Sequence, residues 1–430
     1  MKKVVITGIG AVTPLGNHME STWDSLMKGV SGAGQITRFD PAGLPFRIAG
    51  ELKGFAPDEY LTPKEVLRMD PFAQYAVAAA MMACEDAGLA GKEVRVKSAE
   101  SREKILTPGP RTQNSELLTN AGVIIGSSRG GISSLENALE RHLLHNRPFS
   151  ALLMSSSTIN MASSCISIKL GIKGPALGIS TACASGTNAI GEALEMIRSG
   201  RTDIVLAGGS DAPVCRLAVG GYGASGALSK KNREPEKASR PFDRDRDGFV
   251  IAEGAGVLVL EDLDHALKRG AGIYAEIAGY GTSSDAFHQT KPDSAGEAAA
   301  IKKALDDAGV SVDEVDYINA HATSTPLGDL AEAEAVRKVF GSRTDDIYVG
   351  ACKCMSGHML AASGAVETAV TALSISRGMI TPVINIDNPG PGCELNFVTS
   401  ALKRELNTAI TNSFGFGGVN AVLVLRKFRK

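Results

Sequence analysis

At 430 residues, 43% apolar and 21% charged, the chain has the make-up of an ordinary globular protein, long enough for two or three domains or one two-lobed body. A formal charge of −2 supplies no global basic field, which excludes nucleic acid as the default partner but leaves room for a local basic patch. An aromatic share of only 5% beside 48 glycines favours close packing of small-residue helices on strands over a β-sandwich.

The opening MKKVVITGIGAVTPLG holds a short apolar run and reads as a first strand, Val4–Gly8, entering a Gly/Pro loop rather than as a signal peptide. No apolar run reaches the length of a membrane span, so no membrane and a cytoplasmic location are expected. Further strand-like stretches follow at Ala121–Ile125, Pro175–Ile179, Asp203–Ala207, Gly256–Leu260, Ile273–Ala278, Asp316–Asn319 and Ala421–Leu425. Between them, apolar residues recur with helical spacing over Ser21–Gly29, Ala73–Ala87, Ser133–Leu144, Ala184–Ser199, Gly296–Ala308, Leu330–Phe340 and Met359–Arg377. Alternating strand and helix predicts a layered α/β protein with buried sheets. The charged, Pro-containing run 92–113 lacks apolar period and reads as an exposed excursion. A fresh strand after KRGAG, near residue 270, suggests a division into 1–270 and 271–430. Both halves end in a strand with a Gly-rich turn, a faint two-fold plan. Seven cysteines, an odd number set mostly among apolar or small residues, point to reduced thiols. Cys352 and Cys354 flank Lys353, but no second pair or histidine stands at metal spacing, so no zinc is expected.

Four motifs carry chemistry. In Ser180-Thr181-Ala182-Cys183-Ala184-Ser185-Gly186 an apolar strand meets a helix at a small-residue turn. A cysteine there feels the positive end of the helix dipole, which favours the nucleophilic thiolate, and free N–H groups nearby can hold an oxyanion. A buried cysteine acting as a small hydrophobe fits the segment equally well. In Asn319-Ala320-His321-Ala322-Thr323-Ser324-Thr325-Pro326 a strand ends near a histidine and hydroxyls, where α/β sites gather. The same Thr-Pro pair also suits an ordinary helix cap. Lys353 and His358 precede a small-residue helix that contains Glu367. A neutral imidazole there could donate to a developing enolate, although an isolated histidine is more often structural. Finally, Phe414-Gly415-Phe416-Gly417-Gly418 has the composition of a gate, or of a plain Gly-rich turn with core aromatics.

In this order the four motifs resemble those of the beta-ketoacyl-acyl carrier protein synthases, type II branch, within the thiolase-like superfamily. The opening VVITGIGAVTPLG and the stretches Ser239–Asp243, Arg246–Val250 and Ala252–Ala255 extend the likeness over nearly the whole chain. The resemblance implies an α/β, thiolase-like five-layer αβαβα body built from two similar halves, usually a homodimer. It implies that Cys183 takes an acyl group from acyl carrier protein as a thioester. His321 and His358 then promote malonyl decarboxylation, and the enolate attacks that thioester to give a 3-oxoacyl product in fatty acid biosynthesis. The backbone N–H groups of Cys183 and Phe416 would form the oxyanion hole, Lys353 and Glu367 the buried pair ordering the histidines, and Phe416 the gate. Thr323, Thr325 and Thr290 would bind the pantetheine arm, with Phe414 beside it; the phosphopantetheine arrives on the partner, so no resident cofactor or metal is implied.

Some positions depart from the family pattern. Arg129 and Leu153 stand where small, aliphatic or aromatic residues usually face the acyl chain, so an arginine must find a partner, point elsewhere, or meet a polar substrate. Gly226 replaces a carrier-contacting arginine, leaving Lys64, Arg68, Lys230 and Lys231 as the expected basic patch. A polyketide or specialised-lipid ketosynthase is the near alternative. A non-catalytic chain-length partner conflicts with the presence of Cys183 and both histidines. A cysteine hydrolase would not need the second histidine or the gate.

Overall fold

The computed structural model describes residues 2–89, 94–97, 104–107 and 115–429. Most of the run 92–113 lies outside the described residues; two short segments of it, Val94–Lys97 and Lys104–Thr107, pair as antiparallel strands.

Among the described residues ten strands form one sheet: β1 (Val4–Val12), β2 (Gly122–Gly126), β3 (Ala176–Ile179), β4 (Ile204–Asp211), β5 (Gly254–Asp262), β6 (Ala275–Ser284), β7 (Tyr317–Asn319), β8 (Tyr348–Gly350), β9 (Thr408–Gly415) and β10 (Val419–Arg426). Their spatial order is β8-β7-β9-β10-β6-β1-β5-β4-β2-β3. From the middle outward, both sets of five repeat one plan. The first strand is central, the fifth and then the fourth follow antiparallel, and the second and third run parallel at the edge. The sets join through a short antiparallel pairing of Val4–Ile6 with 275–277.

Helices α1 (Pro71–Asp86), α2 (Ile132–His145), α3 (Met161–Leu170), α4 (Ser185–Arg198), α5 (Ser294–Ala308), α6 (Pro326–Phe340) and α7 (Ala361–Arg377) supply most of the remaining layers. α4 packs on β2 and β4 of one set and on β6 and β10 of the other, and α7 on β4, β5 and β9. These two helices are therefore the central layer. α1 and α3 cover the outer face of the first set, while α5, with α6 against it, covers the second. The outcome is the expected αβαβα body. α7 is buried from Ala361 to Ile375, which explains its sequence: a helix enclosed on all sides is apolar or small on all sides. The core around it gathers Ile190, Leu194, Val366, Val370, Ile410 and Val424, each worth roughly 1.5–3 kcal/mol on burial.

Glycine sets the closest approach of strand and outer helix. A Cβ added at Gly8 or Gly10 would lie 2.2 or 2.0 Å from the carbonyl oxygens of Ala83 or Ala79 on α1, and one at Gly279 or Gly281 would lie 2.4 or 2.3 Å from those of Ala304 or Ala300 on α5. The two halves thus share one Gly-x-Gly contact between first strand and covering helix.

Candidate active site

Ends of strands from both halves meet at a cavity of about 390 Å³ whose walls include Cys183, His321, His358 and Phe416. Cys183 follows β3 and sits two residues before α4. The bend that places it there runs through Ala182 at φ +50, a backbone conformation non-glycine residues seldom take. Ser185 holds the bend: its Oγ accepts from the Thr181 N–H (2.8 Å) and donates to the Ala182 carbonyl (2.6 Å). Burial pushes the Cys183 thiol up to about 11, opposed by the Lys353 charge, the nearby Phe416 backbone N–H and Arg129. The dipole of α4 acts in the same opposing direction. The raised value favours the neutral thiol at rest.

His321 lies two residues beyond β7, on a turn where Ala322 (φ +45) and Ser324 (φ +69) are both left-handed. Two carboxylates of α6 hold this turn. Glu332 accepts from the backbone N–H groups of His321 (2.8 Å) and Ala322 (2.7 Å) and from Asn412 Nδ2 (3.0 Å). Asp329 accepts from the N–H groups of Ser324 (3.0 Å) and Phe242 (2.7 Å). His358 is held by its own N–H to the Val250 carbonyl (2.8 Å), with Leu360 at φ +51 just after it. Ser363 Oγ accepts the Met359 N–H (2.9 Å) and lies 3.2 Å from His358 Nδ1. Which of the two donates follows the ring tautomer, and the other ring nitrogen of His358 is Nε2. That Nε2, and Nδ1 of His321, have no hydrogen-bond partner among the described residues.

The two imidazole rings are 5.4 Å apart, edge to face. Burial, then the Lys353 charge, holds both well below the ordinary imidazole range, so both are neutral. Lys353 Nζ donates to Glu367 Oε1 and to the His321 carbonyl, each at 2.6 Å. Burial pushes the Glu367 carboxyl up to about 7 against the pull of Lys353. Lys353 thereby fixes the His321 backbone and adds to the burial that disfavours charge on both rings.

Thr323, Thr325, Thr290, Phe414 and Phe416 all line the cavity. Thr323 and Thr325 bring their hydroxyls within 3.0 Å. Thr325 also caps α6 by accepting the Gly328 N–H (3.1 Å), so cap and cavity wall coincide. Phe414 packs edge-on against His321. Arg129 and Leu153 do not line the cavity. Arg129 Nε donates to the Tyr222 hydroxyl (3.0 Å), while Leu153 is half-buried at the start of a short helix, Leu153–Ser157. Lys64, Arg68 and Lys230 are exposed and Lys231 half-buried. Glu332, Asp329, Tyr222 and Ser363 escaped the sequence reading. Asp329 and Glu332 sit in the first turns of a helix, where a carboxylate ordinarily complements the dipole and draws no notice. Among the described residues no group of three or more His, Cys, Asp or Glu is arranged to hold a metal.

Residues 1–266 match the beta-ketoacyl synthase N-terminal domain and residues 274–387 the C-terminal domain. The chain belongs to the beta-ketoacyl synthase family. It is 44% identical over 430 residues to the 3-oxoacyl-[acyl-carrier-protein] synthase 2 of Coxiella burnetii, with 99% of each chain covered. Among solved structures it is similar to the ishigamide ketosynthase/chain length factor (TM-score 0.89, 36% identity, all of both chains). It is also similar to a type II polyketide ketosynthase in complex with its acyl-carrier protein bound to the hexaketide (TM-score 0.86, 32% identity, all of both chains).

Proposed function

We infer that this protein is a 3-oxoacyl-[acyl-carrier-protein] synthase, condensing a malonyl unit with an acyl chain held on Cys183 in fatty acid synthesis. One observation carries the reading: a thiol and two neutral imidazoles share one cavity. In the first half-reaction Sγ attacks the acyl thioester, the new S–C bond forms, and the carrier thiol leaves with the proton. The N–H groups of Cys183 and Phe416 receive the oxyanion. In the second, the malonyl thioester oxygen accepts from the imidazole N–H groups, carbon dioxide departs, and the resulting enolate carbon attacks the acyl carbonyl. A carbon–carbon bond forms and the thiolate leaves. Neutral imidazoles suit this step because they stabilise charge that exists only after decarboxylation. The cysteine-hydrolase alternative has no use for the second imidazole.

The polyketide alternative is less favoured, because curated relatives covering 99% of the chain carry the name 3-oxoacyl-[acyl-carrier-protein] synthase 2. The division at 1–270 and 271–430 is part of the reading and draws support from the repeated strand order. The reading uses no resident cofactor: the pantetheine arm arrives on the carrier, passing Thr290, Thr323 and Thr325, and the carrier itself meets the basic Lys64, Arg68, Lys230 and Lys231. A homodimer completes the molecule. β3 is an edge strand whose outer side is exposed, and near it in the chain Leu143 (70%), Met154 (65%) and Ile168 (78%) stand in solvent. An open apolar edge of this kind is a self-pairing surface. The cytoplasm is the compartment this chemistry implies; among the described residues no helix is long and apolar enough to cross a membrane.

The test is to incubate the protein with acyl carrier and malonyl carrier and to follow products by mass spectrometry. A 3-oxoacyl carrier two carbons longer than the donor is expected. Free acid with no longer product would establish hydrolysis and sink the assignment.

A further inference from the structure

Tyr222 belongs to the cavity wall that contains Cys183 and lies on the helix Arg216–Ala224, within the segment that joins β4 to β5. Its ring packs against Phe249 (centroids 5.8 Å apart) and Phe416 (6.4 Å), and only 9% of the residue is exposed. Arg129 holds the hydroxyl from behind. Its Nε donates to the phenol oxygen at 3.0 Å, and its guanidinium carbon lies 5.4 Å from the ring centroid. Arg129 is itself fixed at its backbone, because Asp211 accepts the Ser127 hydroxyl (2.7 Å) and the N–H groups of Ser128 (3.1 Å) and Arg129 (3.3 Å). The arginine that breaks the family pattern has therefore found a partner, and that partner faces the reaction chamber.

The pair leaves a proton unspent. Arginine has donors only, so the phenol oxygen is the acceptor in this bond and the Tyr222 O–H remains to be given. Among the described residues no acceptor is paired with it. Burial, then the neighbouring Cys183, pushes the phenol up to about 12, so the proton stays on the oxygen. A hydroxyl that accepts from a cation is also a stronger donor. Tyr222 and Cys183 line the same cavity, which opens this donor to the chamber where the acyl group would be carried. A wholly saturated chain there would offer the O–H no acceptor, whereas a chain oxygen would satisfy it. Sites built to bond a substrate oxygen discriminate strongly against analogues that lack one.

We propose that Tyr222, positioned by Arg129, is a specificity-determining residue that donates a hydrogen bond to an oxygen on the acyl chain held by Cys183, so that oxygenated acyl thioesters are preferred over saturated ones of equal length. This rests on the condensing reaction proposed above, independently of its assignment to fatty acid synthesis, and names the class of acyl group that reaction would favour. Intact-mass spectrometry of the full chain, given carriers loaded with hexanoyl, 3-hydroxyhexanoyl or 5-oxohexanoyl groups, reads Cys183 acylation as kcat/KM for each. At least one oxygenated donor should exceed hexanoyl by about tenfold, and Tyr222→Phe should bring that ratio within about twofold. Arg129→Met, at an exposed position that leaves the core intact, should shrink the ratio in the same direction. Hexanoyl equal to or better than both oxygenated donors, or a preference that survives Tyr222→Phe, overturns the proposal while leaving the condensing reading in place. Absence of any acyl adduct on Cys183 overturns both.

Discussion

The two halves use one strand plan and put different chemistry at its ends. In the first half the parallel strands β2 and β3 run out into Ser127-Ser128-Arg129 and into Cys183. In the second the corresponding strands β7 and β8 run out into His321 and into Lys353 and His358. The fourth and fifth strands differ most. β4 and β5 are separated by residues 212–253, which carry Tyr222 and Phe249, whereas β9 and β10 are joined by Phe416-Gly417-Gly418 alone. On the proposed reading the first half supplies the nucleophile and the wall beside it, and the second handles protons and charge. Fold alone brings the strand ends together, and side chains decide what each end does. A shared device marks both halves: Ala182, Ala322, Ser324 and Leu360, all left-handed without being glycine, adjoin or flank Cys183, His321 and His358. Such strain costs of order 1–3 kcal/mol per residue, offset here by Ser185, Glu332, Asp329 and the tight packing around them.

This division of labour can be broken most severely at Cys183. Cys183→Ala should abolish the acyl-enzyme, a loss beyond about 10⁴-fold, while carbon dioxide continues to leave malonyl carrier. Acyl adduct on another cysteine, or loss of decarboxylation as well, would merge the two roles. His358→Ala should lower condensation by about 10³-fold and Cys183 acylation by less than about tenfold, as separate assays of the two steps would register; equal losses would show that the second half also serves the first step. A smaller effect sharpens the picture through pH. Histidine ring nitrogen shifts should report neutral His321 and His358 at pH 6, where an unfolded imidazole, with a pKa of about 6.5, is mostly protonated. Because these rings refuse protons that the unfolded chain accepts, they withdraw stability as pH falls below about 6.5, by at most ~1.4 kcal/mol per ring per unit. Glu367 and Asp329, both pushed up to about 7 by burial, act in reverse and withdraw stability as pH rises from about 4.5 towards 7. Ring shifts of charged imidazole at pH 6 would remove the case for neutral donors.

The order of the chemistry-bearing motifs, the alternation of strand and helix, and most element boundaries were legible along the chain, because they depend on local apolar period and on residue types at turns. β9 was not. Its Thr411, Asn412 and Ser413 are buried, and polar residues buried by the site beside them leave no alternating pattern to recognise. β8, only three residues long, has too little sequence to carry a period. The roles of Glu332, Asp329 and Tyr222 exist only through contacts between distant segments. Arg129 was recognisable as an oddity, but the phenol that receives it lies 93 positions away. The two-fold plan was faint because it resides in strand order; its nearest trace in the residues is the Gly-x-Gly of Gly8–Gly10 and of Gly279–Gly281.

That pair of glycine contacts also limits how the enzyme can breathe. At these glycines α1 and α5 sit directly on the backbones of β1 and β6, with no side chain between helix and strand to give way. Sliding would drive carbonyl oxygens into main-chain atoms. On the proposed reading, admission and release of substrates then fall to the rim, where Gly417 and Gly418 (φ +90 and +67) supply hinge freedom that the close-packed helix and strand contacts lack.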